Sequence, residues 1–249
     1  MDTFLLLVLA IVAGSAISLA GGAIIFLSKR GRAQAIALAL PFGAGALLAA
    51  AFFDLLPESF ELAEPRMLLL WALAGFILFF LLERLSSWFH HHHAHGEYDN
   101  QEQKNRLVMA GDLAHNMIDG MAIGAAFLVN PMSGLVTTIA VSAHEIPKEL
   151  GTFGILLSRG WKDKKVILAN IATAAGTLVA ALLVYWVGSS VELPEAQLLA
   201  LTSGFFIYVA ASDIIPEIHE QPRRMGTIQA GVLLAGLAFV GTVSTLLGV

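Results

Sequence analysis

The stretch VILANIATAAGTLVAALLVYWVG, residues 166–188, runs for 23 residues without an Asp, Glu, Lys or Arg. About 20 mainly apolar residues carry a helix across the hydrocarbon core of a bilayer, so this segment predicts a membrane crossing. It has no strict two-residue alternation, which argues against a strand of a membrane barrel. The same ruler, moved outward, finds eight such runs: 4–27, 34–56, 67–85, 107–129, 132–157, 166–188, 196–219 and 227–247. Composition agrees. The 249 residues are 57% hydrophobic and 13% charged, against about 45–50% and about 25% in an ordinary soluble domain. Charge this sparse excludes a disordered chain, a coiled coil and a nucleic-acid-binding module. There is no Cys, hence no disulfide framework, thiolate metal site or cysteine nucleophile, and any bound metal must use nitrogen and oxygen ligands. The expected fold is an all-α polytopic membrane protein, a single domain over residues 1–249, with the lipid bilayer as its surroundings. The first run opens on Met1-Asp2 without a basic segment and is long enough to span, so it reads as a membrane helix rather than a cleaved leader.

Basic residues set the expected orientation. Lys29, Arg30 and Arg32 follow the first run; Arg84, Lys104 and Arg106 follow the third. Arg159, Lys162, Lys164 and Lys165 follow the fifth, and Arg223 and Arg224 the seventh. Only Arg66 lies between runs on the opposite side, and Lys148 falls inside one. The alternation supports eight spans, with both termini outside the cytoplasm and the protein in the plasma (inner) membrane. The one long loop, 86–106, faces the cytoplasm on this reading and carries His90, His91, His92, His93 and His95.

A short motif recurs. Asp54-Leu55-Leu56-Pro57-Glu58 ends the second run and Asp213-Ile214-Ile215-Pro216-Glu217 the seventh. Those runs cross in opposite senses, as expected for an inverted repeat of spans 1–3 and 6–8 around a central pair, spans 4 and 5. The central pair echoes the pattern with His115-Asn116-x-x-Asp119 and His144-Glu145-x-x-Lys148.

Ionisable groups at membrane depth cost about 2.5–3.5 kcal/mol each on insertion scales, so they must line an interior or pair with something. Asp112, His115, Asn116 and Asp119 fall on one helical face. On span five, His144 and Lys148 form one stripe and Glu145 and Glu149 another. Imidazole with carboxylate oxygen suits Zn²⁺ and neighbouring divalent ions. His115, Asp119, His144 and Glu145 would supply most of a coordination shell, with Asn116 offering a further oxygen. Pro147 is expected to leave the Ala143 carbonyl without its amide partner, and Pro57 and Pro216 to do the same for Phe53 and Ser212. Asp54 and Asp213 lie beside those weakened turns, on the expected transport path.

Together these features resemble the ZIP (Zrt/Irt-like) divalent metal transporters: eight spans, outward termini, a His-bearing loop after span three, His115-Asn116-Met117-Ile118-Asp119-Gly120 and His144-Glu145-Ile146-Pro147-Lys148-Glu149. The resemblance covers essentially the whole chain. It implies an elevator-like or rocking alternation that carries Zn²⁺, or Fe²⁺, Mn²⁺, Co²⁺ or Cd²⁺, toward the cytoplasm as substrate, with no catalytic cofactor. It also implies a primary metal site of His115, Asp119, His144 and Glu145, with Asn116 toward a second site and Glu217 near the exit. Asp112, Lys148 and Glu149 tune that path, the loop histidines capture cytoplasmic metal, and a homodimer is compatible with it. One position departs from the family, which commonly has His or an acid where this chain has Lys148. A protonated ammonium offers no lone pair and repels a nearby cation. Lys148 then replaces the second metal electrostatically; as a neutral amine it would instead be a ligand, and the surrounding acids favour the first.

Two rivals use the same residues. A metalloprotease needs His-Glu-x-x-His, and here Lys148 stands at the second His. A passive metal channel remains open on the ligand set alone.

Overall fold

The computed structural model describes residues 2–21, 29–92 and 101–249. His93 and His95 lie outside the described residues, and so do the side chains of His90, His91, His92, Asp213 and Glu217. The helices are α1 (Thr3–Gly21), α2 (Lys29–Ala50), α3 (Leu56–Leu62), α4 (Pro65–His92), α5 (Gln101–Val129), α6 (Pro131–Ser158), α7 (Asp163–Ser190), α8 (Glu195–Tyr208), α9 (Ile215–Glu220) and α10 (Arg223–Leu247). There is no strand among the described residues. The expected all-α class is what the chain adopts.

Among the described residues, six helical stretches are long and apolar enough to cross a membrane: Thr3–Gly21, Gln34–Leu62, Pro65–Leu82, Asp163–Ser190, Glu195–Ser212 and Arg223–Leu247. The helices α5 and α6 are as long, at 29 and 28 residues, but polar residues interrupt their apolar character. Large hydrophobics such as Leu69, Leu70, Leu73, Ile77 and Phe80 on α4 stand exposed, as expected of a surface that meets lipid rather than water.

The repeated Asp-x-x-Pro-Glu motifs share one local structure. A π-helical segment, Ala51–Leu55, joins α2 to α3, and another, Val209–Ile214, joins α8 to α9. The amide of Leu56 reaches back five residues to the Ala51 carbonyl, and that of Ile215 to Ala210. Proline lacks an amide, so the turn before it loses a bond and the chain accommodates an extra residue. The sequence predicts a freed carbonyl at Phe53, and that oxygen lies 3.2 Å from the Ser244 hydroxyl of α10. Ser244 also lies 2.7 Å from the Val249 carbonyl, so its one proton serves both. Pro147, by contrast, sits inside an unbroken α6.

Glycines bring helix backbones together at several contacts, and at two of them the fit is reciprocal. Gly45 of α2 abuts the Leu233 carbonyl of α10, and Gly236 of α10 abuts the Phe42 carbonyl of α2. Likewise Gly204 of α8 abuts the Ala72 carbonyl of α4, and Gly75 of α4 abuts Leu201 of α8. A Cβ at any of the four would collide with main chain, which does not yield. Small residues therefore allow the close approach on which helix association in lipid depends. Leu47, Ala49, Ala50 and Leu55 on the α2 rod join Val136 and Ala140 of α6 and Leu199 of α8 in one fully buried core.

Only Asn130 separates α5 from α6. Its side chain caps α6 by accepting the Met132 amide at 2.9 Å, and Pro131 occupies the first turn. Both choices start a helix abruptly. The result is a tight antiparallel hairpin in which His115 lies level with His144. At the other end of α6, Gly160 takes a φ of 88°. The Gly160 amide bonds the Leu157 carbonyl and the Trp161 amide that of Leu156. This is the double bond pattern with which glycine closes a helix C-terminus.

Candidate metal centre

Three of the expected ligands converge. The Nε2 atoms of His115 on α5 and His144 on α6 lie 3.3 Å apart. The Asp119 Oδ2 lies 3.5 Å from each of them. Two vertices of a tetrahedral zinc site with bonds of about 2.0–2.2 Å stand about 3.3–3.6 Å apart, so this triangle has the edges that one ion would require. Asp119 Oδ2 is buried without a hydrogen-bond partner. A carboxylate oxygen aimed between two imidazole nitrogens and lacking a donor suits a cation there. Among the described residues, these three form the group whose ligand atoms all lie within 4.8 Å of one another.

The neighbours hold the triangle in place. His144 Nδ1 lies 3.4 Å from the Ala140 carbonyl; a proton on Nδ1 leaves the Nε2 lone pair toward the site. Phe79 of α4 presses edgewise on the His115 ring, with centroids 5.7 Å apart. Gly43 of α2 gives His144 its room, since a Cβ there would lie 2.7 Å from the His144 Cα. Neither Phe79 nor Gly43 carries a sequence signal that ties it to a metal.

Glu145 and Asn116 face elsewhere. The Lys148 ammonium lies 2.6 Å from Glu145 Oε1 and 3.1 Å from Asp112 Oδ1, bridging α6 to α5. Asn116 donates to the Asp112 carbonyl at 3.0 Å and accepts the Thr177 hydroxyl of α7 at 2.9 Å. Thr177 was not legible as a partner, because a lone Thr in an apolar run has many ordinary uses. Glu149 is buried, with its Oε2 lacking a partner. Asp54 is buried on the first π segment with neither carboxylate oxygen hydrogen-bonded, and it is not part of the converging group.

A second polar cluster joins the start of α5 to the start of α7. Glu102 accepts the Trp161 indole at 2.8 Å and the Lys165 ammonium at 2.9 and 3.0 Å, and Arg106 stands 3.4 Å away. The Lys165 Nζ also lies 3.9 Å over the Trp161 ring. These donors, Lys165 foremost and then Trp161, hold the Glu102 carboxyl below its ordinary value.

Known proteins are similar to this chain in sequence. The profile of the ZIP zinc transporter family matches residues 4–108 and 93–244. The chain is 37% identical to zinc transporter zipt-7.2 of Caenorhabditis elegans over 127 residues, 49% of this chain and 28% of that protein. It is 39% identical to human zinc transporter ZIP6 over 148 residues, 56% of this chain and 20% of that protein. It is 31% identical to zinc transporter ZIP13 of Pongo abelii over 210 residues, 78% of this chain and 62% of that protein. The chain thus spans between a fifth and about three fifths of these curated relatives. A family match over nearly all of its length, apolar helices and a His-Asp-His cluster lead to one conclusion: the chain is an integral membrane protein that belongs to the ZIP zinc transporter family.

Proposed function

We propose that this chain carries divalent transition-metal ions, foremost Zn²⁺, across the plasma (inner) membrane toward the cytoplasm. The triangle of His115 Nε2, His144 Nε2 and Asp119 Oδ2 carries the reading, because its edges of 3.3, 3.5 and 3.5 Å suit one tetrahedral ion. Glu145, next in the chain to His144, completes the set when it exchanges Lys148 for the metal, and Asn116 lies at its margin. The metal is the cargo; no catalytic cofactor is involved. Zinc is favoured because the matched relatives are named zinc transporters, while Fe²⁺, Mn²⁺, Co²⁺ and Cd²⁺ suit the same donors.

The architecture we propose has eight spans, both termini outside, with spans 1–3 and 6–8 as inverted repeats around α5 and α6. The reciprocal glycine contacts support it. Gly45 and Gly204 each stand nine residues before the Asp of their motif. Gly45 meets Leu233 and Leu237 of α10, while Gly204 meets Ala72 and Phe76 of α4. Swapping the repeats exchanges one pair of contacts for the other. Repeats of this kind support alternating access over a passive channel. Along the path, Asp54 and Asp213 lie at the two motifs, Asp112 and Glu149 flank Lys148, and Glu217 stands near the cytoplasmic exit. The loop histidines, His90 to His93 and His95, capture metal on the cytoplasmic side. One ion is carried per chain, since Lys148 stands where a second would be bridged, and a homodimer is compatible with all of this.

Flux of several metal ions into proteoliposomes, wild type against His115→Ala, tests the reading. Saturable wild-type uptake that the substitution abolishes is expected. Normal transport by His115→Ala would refute the site, and flux that neither saturates nor shows exchange would favour the channel.

A further inference from the structure

We infer that Lys148 is a tethered counter-cation: it lets the site cross back without metal, so that net transport requires no second ion. The inference rests on the carrier reading above and adds what happens on the return. Around the triangle, four carboxylic side chains are nearly sealed off. Asp112 is 6% exposed, Asp119 4%, Glu145 5% and Glu149 2%. Unpaired charge at membrane depth is costly. When metal is bound, its two charges offset two of these acids. Once the metal leaves, a site without another cation would be held where it stands, or would have to admit a co-ion.

Lys148 answers that need from within the chain. Its ammonium lies 2.6 Å from Glu145 Oε1 on its own helix and 3.1 Å from Asp112 Oδ1 on the facing one. The two contacts divide the work. Glu145 adjoins His144 in sequence and is the acid that an arriving metal would claim. Asp112 is three residues before His115 and is no part of the converging group, so it keeps the ammonium when Glu145 lets go. A lysine is suited to this exchange, being a point charge with three rotatable donors on a flexible stem. Its side chain retains 22% exposure, against 4% for Asp112 and 7% for Glu145, so the stem is not locked. A second metal in the same place would also offset the acids but would leave with the cargo. An ammonium on the backbone stays.

The test separates return of the empty carrier from transport itself. Purified protein in liposomes is assayed for Zn²⁺ uptake into metal-free vesicles, which needs the empty return, and for exchange of labelled Zn²⁺ against internal Zn²⁺, which does not. In Lys148→Gln the ratio of exchange to net uptake is expected to rise at least about tenfold, and Lys148→Arg to restore the wild-type ratio. A merely structural lysine would depress both modes together and leave the ratio unchanged, which overturns the inference while the carrier reading stands. Wild-type protein that moves no divalent metal overturns the carrier reading and this inference with it. Should Lys148→Gln not fold, wild-type net uptake at equal pH, with K⁺ and valinomycin clamping the potential, decides. Uptake without any other cation gradient is expected, and a strict requirement for one would overturn the inference.

Discussion

His115 and His144 come from different helices, yet their Nε2 atoms stand 3.3 Å apart with Asp119 Oδ2 at 3.5 Å from both. Two ring nitrogens and a carboxylate oxygen at these spacings are the donor set of a divalent transition metal. Replacing His115 or His144 with Ala is expected to weaken Zn²⁺ binding on the order of 100-fold, the upper end of what ligand-supporting groups contribute. Calorimetric titration of the purified protein measures it. A drop under threefold in both variants would mean that the ion binds elsewhere.

The ion pair of Lys148 with Glu145 and Asp112 makes a prediction about stoichiometry. The wild type is expected to retain one Zn²⁺ per chain after equilibrium dialysis and elemental analysis. Lys148→His supplies a lone pair and removes the repelling charge, so about two ions per chain are expected. Two ions in the wild type would contradict the single-ion site.

Gly204 and Gly231 make a matched pair. A Cβ at Gly204 meets the Ala72 carbonyl, whereas one at Gly231 meets nothing within 4 Å. Gly204→Ala is expected to destabilise the protein by about 1–3 kcal/mol, the usual range for overpacking. Gly231→Ala removes a poor helix former and is expected to be neutral or stabilising by up to about 1 kcal/mol. Thermal unfolding in detergent compares the two directly.

The Glu102 cluster gives a pH dependence. Its carboxyl is held below the ordinary value by Lys165 and Trp161, so ionised Glu102 favours the folded arrangement. That contribution is present above the unfolded carboxylate pKa and fades as pH falls through the lower folded one. The pair is exposed and salt-screened, so the effect is small. Glu102→Gln is expected to lower the melting temperature slightly at pH 7 and not at pH 3. An equal decrease at both would assign the effect to packing against Trp161 instead.

Much of this was legible in the chain. Apolar runs located the helices because the hydrocarbon core sets a length, although α4 runs seven residues past the expected end at 85 and α5 begins six before 107, and i, i+3, i+4, i+7 spacing gave the polar face of α5. Helical spacing also put His144 and Lys148 on one stripe, yet their side chains go to different partners. Whether Glu145 faces the triangle or an ammonium depends on where Asp112 of the facing helix falls, and spacing within one helix cannot contain that. Asn116 is the same lesson: its oxygen is taken by Thr177, which becomes a neighbour only once α5 and α7 pack. The carbonyl left by Pro57 was readable from the missing amide, but not that Ser244, some 190 residues later, would meet it.

The π segments have a consequence for heredity as much as for structure. In a helix each residue advances the direction of its side chain by about 100°. An extra residue would therefore set everything beyond it round by that angle, unless one wider turn takes it up, as the bonds from Leu56 to Ala51 and from Ile215 to Ala210 do here. Asp54 is 1% exposed, whereas its neighbours Phe52 and Phe53 are 51% and 48% exposed. Losing a single codon from Ala51–Phe53 is therefore expected to close the wide turn to an ordinary one and leave Asp54 and everything after it facing as before. The same loss within the regular turns of α2 would have no slack to draw on and would turn every later side chain by that angle, so the two π segments are where these rods can change length by one residue and keep their faces.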